Sequence, residues 1–90
     1  MKISFQKQET RGFQIDLTDS SSIIGHQDTN RLEFHNMGRS MELSPSTSVD
    51  IDVDESWLTL RCMENDRLTY SYLVPAAEIK RVEVGNVRAP

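Results

Sequence analysis

Val49-Asp50-Ile51-Asp52-Val53-Asp54-Glu55 is the stretch whose residue types and spacing are best suited to chemistry. Its alternation predicts a strand with Asp50, Asp52 and Asp54 on one face and Val49, Ile51 and Val53 on the other. Successive carboxylates then stand ~7 Å apart. Strands are depleted in Asp, and like charges on one face repel, so the pattern needs a reason. A calcium loop is the first to test, and it fails: Glu55 stands where an EF-hand needs glycine, and Arg61 where it needs a bidentate glutamate. A docking face is the second. The phosphates of one nucleic-acid strand repeat every ~3.4 Å along the axis, so a ~7 Å carboxylate ladder matches alternate phosphates and suits a basic protein groove. The third is an ordinary solvated face, or charge placed on an edge strand to deter aggregation.

Trp57, Arg61 and Arg67 fall on the outer face of the hairpin that follows. These types concentrate in binding hot spots, and they can also stack single-stranded bases. Against this, Trp57 is expected to pack under the neighbouring loop, with Arg61 and Arg67 paired to the acidic strand. A basic patch of Arg61, Arg67, Lys80 and Arg81 requires the last strand to pair with that hairpin. Asp50, Asp52, Asp54, Glu55, Trp57, Arg61 and Arg67 form the candidate partner-binding set.

Other reactive residues lead nowhere. His26 and His35 lack a ligand signature, have Asp28 and Glu33 as nearest acids, and read as satisfied surface side chains. Cys62 is expected to be buried beside Leu60, since its neighbour Arg61 points to the opposite face. Ser20-Ser21-Ser22 near His26 and Asp28 lacks the rigid scaffold a catalytic triad needs.

Period-two alternation supplies the elements. Ile3 and Phe5, then Phe13, Ile15 and Leu17, mark two strands, with the chain turning over 8–12. Residues 18–30 read as a polar loop, anchored by Ile23 and Ile24, with Asp19 as N-cap of a helical turn. Leu32 and Phe34, then Met41 and Leu43, form a hairpin around Gly38, which can take a positive φ. Pro45 ends it, and the acidic strand follows. A hairpin over 57–74 turns at 64–66. A three-residue loop there sets Cys62 opposite Leu68, Leu60 opposite Tyr70 and Leu58 opposite Tyr72, all facing inward, with Asp66 left-handed. Pro75-Ala76-Ala77-Glu78 fits one helical turn led by proline, before a last strand with Ile79, Val82 and Val84. This strand, proline-led turn, strand order over the last third resembles the ending of Sm-like and other small barrels in apolar pattern.

The chain has 90 residues and is 37% hydrophobic and 27% charged, with a formal net charge of -4. The expected fold is all-β, mainly antiparallel, a small single-domain barrel or sandwich of about seven short strands with at most one or two helical turns. One β-rich domain spans 1–90, with 85–90 as a loose tail. The acidity argues against a general nucleic-acid or membrane-surface binder. There is no apolar run long enough for a membrane span, no phosphate loop and a single thiol, and residues 1–6, without an apolar core, are not expected to form a signal peptide. These features lead to an expectation of a cytoplasmic, non-enzymatic protein without metal or cofactor. It is expected to engage a larger protein with a basic surface through the carboxylate-lined face, as phage-type inhibitors or regulators of nucleic-acid-processing systems do. Two alternatives are carried: a homo-oligomeric structural or assembly protein, and a small barrel binding single-stranded nucleic acid through an Arg/Trp face.

Overall fold

The computed structural model describes residues 1–6, 11–26 and 31–85. Residues 8–10 of the expected first turn, Asp28, and 86–90 of the expected tail lie outside them. The described residues contain nine strands: β1 (Lys2–Gln6), β2 (Gly12–Leu17), β3 (Ser22–Gly25), β4 (Arg31–His35), β5 (Arg39–Glu42), β6 (Thr47–Val53), β7 (Trp57–Glu64), β8 (Arg67–Pro75) and β9 (Ile79–Gly85). They form two antiparallel sheets, ordered β1-β6-β7-β8 and β5-β4-β3-β2-β9. The all-β expectation holds, in sandwich-like form: among the described residues the two sheets do not join into a closed barrel.

The alternation read from the sequence fills the space between the sheets. Ile3, Phe5, Val49, Ile51, Leu58, Leu60, Cys62 and Val74 come from the first sheet. Phe13, Ile15, Leu17, Ile23, Leu32 and Phe34 come from the second, and all are buried in one core. Phe5 meets Phe13 edge-on, with centroids 5.4 Å apart and planes at 82°. Phe34 receives Tyr70 and Tyr72 edge-on from the opposite sheet, at 6.2 and 5.8 Å. Such contacts suit the ring quadrupole and tie the sheets together.

Two expectations need correction. Residues 22–25 are strand β3, paired with both β2 and β4, so the stretch 18–30 is not all loop. Its four residues are too few for alternation to register, yet Ile23 is fully buried. Asp19 caps no helix. Its Oδ1 accepts the backbone N–H of Ser21 at 3.0 Å and the Ser21 hydroxyl, closing the tight β2–β3 turn in which Ser20 has φ 71°.

The second correction is the β7–β8 register. The connection is the two-residue Asn65-Asp66, both at positive φ (50° and 64°), the requirement of a type I′ turn. A two-residue turn alone would put the apolar residues of β8 on the wrong face. A bulge restores them: Met63 pairs with Leu68, but Cys62 pairs with Tyr70, leaving Thr69 as the extra residue. The Thr69 hydroxyl donates to the Cys62 carbonyl at 3.1 Å. Leu60 therefore faces Tyr72, Leu58 faces Val74, and Leu68 lies exposed beside Met63 rather than inside. The turn at Gly38 (φ 71°) is as expected. The proline-led turn is a 3-10 turn over Ala76–Glu78, with Pro75 as the last residue of β8.

Candidate functional site

β6 is a central strand, held by β1 on one side and β7 on the other, so edge protection does not explain its carboxylates. Asp50 points outward, opposite Ser4 of β1 and Arg61 of β7. Asp52 is half-buried, opposite Lys2 and Thr59. Lys2, Ser4, Asp50, Asp52 and Arg61 line a shallow open depression floored by Ile3 and Ile51. Its charges are mixed. Among the described residues, ion pairs are recorded for His26–Glu33 and Arg81–Glu83 but not within this group.

Asp54 leaves the ladder. β6 ends at Val53, and the Asp54 carboxylate turns back on its own chain. Its Oδ1 accepts the N–H of Trp57 and of Ser56, each at 2.8 Å, and these bonds hold its pKa below the ordinary 3.8. Asp54 is therefore the cap of the β6–β7 turn, with Glu55 exposed in that turn. The expected row of three carboxylates is a pair, Asp50 and Asp52, plus a structural cap.

Trp57 opens β7 on the outward face, opposite Pro75, and is 46% exposed rather than packed under a loop. Leu73, diagonal to it, is 54% exposed, and Leu68 farther along the same face is 56% exposed. The outward side of the first sheet is thus divided: charged groups over β1 and β6, apolar ones over β7 and β8. Arg61 sits between the halves. Arg67 stands at the start of β8 opposite Glu64, away from the acidic strand. Lys80 and Arg81 belong to β9, which pairs with β2, so the basic patch of Arg61, Arg67, Lys80 and Arg81 does not form through that pairing.

His26 is buried, not a surface side chain. Its Nε2 lies 3.1 Å from Glu33 Oε2, and its Nδ1 is buried without a hydrogen-bond partner among the described residues. His35 is exposed. Cys62 is buried as expected, its thiol raised to about 11 by desolvation and lying 3.9 Å from Met41 Sδ. Ser22 donates to Asp16 Oδ1 at 2.9 Å, and Gln14 donates to the same oxygen at 2.8 Å. Together they lower the Asp16 pKa, the Gln14 bond most, against the opposing effect of burial. Among the described residues, no three His, Cys, Asp or Glu side chains gather as a metal site. No helix there is long and apolar enough to cross a membrane.

Sequence reasoning missed two features. Lys2 and Ser4 join the acidic pair only through the distant β1–β6 pairing. Arg39 lies over the rings of Phe34 (5.6 Å) and Tyr70 (4.9 Å) and donates to the Tyr70 hydroxyl at 2.6 Å. Arg39 and Phe34 are cross-strand neighbours in the β4–β5 hairpin, but no local pattern marks the joining of Arg39 to Tyr70 or of β1 to β6, because each links segments more than 30 residues apart in sequence. No protein-family model, curated protein or solved structure matches this chain.

Proposed function

We propose that this chain is a non-enzymatic binding module that engages a larger protein through the outward side of the sheet β1-β6-β7-β8. The observation that carries this reading is Trp57, the sole tryptophan, held 46% exposed on the same outward face as Asp50, Asp52 and Arg61, at the β6–β7 turn end of that face. An indole in water forgoes the apolar burial that folding normally secures, and Trp with Arg is the commonest anchor composition at interfaces. Asp50 and Asp52 are not used in ion pairs among the described residues, so their charge is available to a partner. Two carboxylates ~7 Å apart match alternate phosphates of a nucleic-acid strand. A basic surface built to hold such a strand is the class of partner that complements them, and regulation of a nucleic-acid-processing protein is the role that follows. Lys2 and Arg61 set the register of docking by repelling misplaced cations.

The test is capture of a partner from lysate by three immobilised proteins: wild type, Asp50→Lys/Asp52→Lys and Trp57→Ala. Wild type should retain a partner at low salt and lose it at high salt, and both variants should lose it at either, with unchanged circular dichroism. Equal retention by all three proteins would refute this site.

A further inference from the structure

β5 and the turn before it lie at the rim of the sandwich. β5 is four residues long, and β4 is its one neighbouring strand among the described residues. Three side chains of this segment reach across to the first sheet. Met37, in the turn, has its Sδ 3.9 Å from the Tyr72 hydroxyl. Arg39 donates to the Tyr70 hydroxyl at 2.6 Å. Met41 has its Sδ 3.9 Å from Cys62 Sγ. Both methionines are partly exposed while packing against the core, whereas Cys62 is 1% exposed. Met41 thus meets solvent and also touches the buried thiol. Leu43, two residues further on, is buried, so the chain is anchored again directly after β5.

We propose that Met41 is a peroxide-sensitive latch: conversion of its thioether to the sulfoxide loosens β5 from the first sheet and opens Cys62 to solvent. A hydroperoxide supplies the oxygen. Its O–O bond breaks as the S–O bond forms, and the proton of the transferred hydroxyl passes to the leaving oxygen. The sulfur gives up two electrons, and the peroxide is reduced to water or an alcohol. The product no longer suits its site. A thioether is apolar and flexible, whereas a sulfoxide carries an oxygen acceptor that needs a donor when buried. The neighbour of Met41 is a thiol, which is a weak donor. Met37 differs, because the Tyr72 hydroxyl already directed at its sulfur is a donor that a sulfoxide there can accept. Oxidation is therefore disruptive at Met41 and tolerated at Met37. With Leu43 held in the core, the opening is confined to β5 and its turn. The device lies apart from the Asp50/Asp52 face and does not depend on what that face binds.

The experiment treats the full chain with hydrogen peroxide, removes the reagent, locates oxidised methionines by peptide mass mapping, and times the alkylation of Cys62 without denaturant. Molecules oxidised at Met41 should be alkylated at least ~10-fold faster than untreated protein, because a covered thiol becomes a hydrated one. Methionine sulfoxide reductase should reverse the gain. Met41→Leu should abolish it, and Met37→Leu should leave it in place. If Met41→Leu fails to fold, the reductase reversal, followed in the mass map at residue 41, decides alone. Met41 left intact after full conversion of Met1, which is 65% exposed, would overturn the proposal. So would oxidised Met41 with unchanged alkylation, an equal gain in Met41→Leu, or oxidation of Cys62 ahead of Met41.

Discussion

Gly25→Ala probes the closest approach in the core. Gly25 lies in β3 opposite Phe13, and both are buried. A methyl group there would stand 2.4 Å from Phe13 Cε1, 2.8 Å from Phe13 Cδ1 and 3.1 Å from Phe5 Cε1. Carbon atoms prefer ~3.5–4.0 Å, so the overlap with Phe13 exceeds ~1 Å. The ring has little room to retreat: Phe13 is fully buried, and Phe5 packs edge-on against it. β3 is itself held by β2 and β4. Overpacking of this kind costs about 1–3 kcal/mol, and the short contact places this site near the upper end. For a domain of this size each kcal/mol lowers Tm by about 4–8 °C, so a fall of roughly 10–20 °C is expected. The assay is thermal unfolding by circular dichroism of wild type, Gly25→Ala, Phe13→Leu and the double variant. Phe13→Leu alone should destabilise by removing buried carbon, but it should also make room for the methyl group. Gly25→Ala should then cost at least ~1 kcal/mol less in the Phe13→Leu background. A single variant melting within ~2 °C of wild type, or strictly additive effects, would refute the packing argument.

Three further outcomes follow from local geometry. Asp54→Asn keeps an oxygen acceptor for the N–H groups of Ser56 and Trp57 but removes the titration. The folded-state pKa of Asp54 is lowered, so its contribution is full above 3.8 and is lost as pH falls through the folded value. Acid unfolding of Asp54→Asn should accordingly show a shallower pH dependence below 3.8, and an unchanged slope would contradict the cap. Asp66→Gly relieves a left-handed residue (φ 64°) and should stabilise by about 0.5 kcal/mol, read from the urea midpoint; destabilisation would count against the turn geometry. Cys62 is 1% exposed with a thiol pKa of about 11, so a thiol reagent near neutral pH should label it only after denaturant is added. Rapid labelling of the native chain would show that β7 is not buried as described.

The candidate site was partly legible. That Asp50 and Asp52 face outward while Val49 and Ile51 face inward follows from alternation, and the structure agrees. Asp54 looked like a third rung because alternation extends through it. Its role is decided by hydrogen bonds to Ser56 and Trp57, which form only once the turn has closed. Trp57 was expected to find cover because indoles usually do. Its opposite partner is Pro75 on β8, the outer strand of that sheet among the described residues. Leu68 was placed inside because parity was counted from a three-residue loop, whereas a two-residue turn and a bulge produce the same inward faces for Tyr70 and Tyr72 with Leu68 outside.

Strand character and the inward or outward sense of most side chains are properties of the sequence alone. Adjacent residues of an extended chain point to opposite faces, and apolar groups at every second position choose one of them. Strand order belongs to the tertiary structure. Backbone groups that join β1 to β6, or β9 to β2, are the same in every residue, so their pairing leaves no local mark. It is selected by how the two apolar faces fill one core. That selection made β6 central, left β8 open at the rim, and set Lys2 and Arg61 on either side of the aspartates.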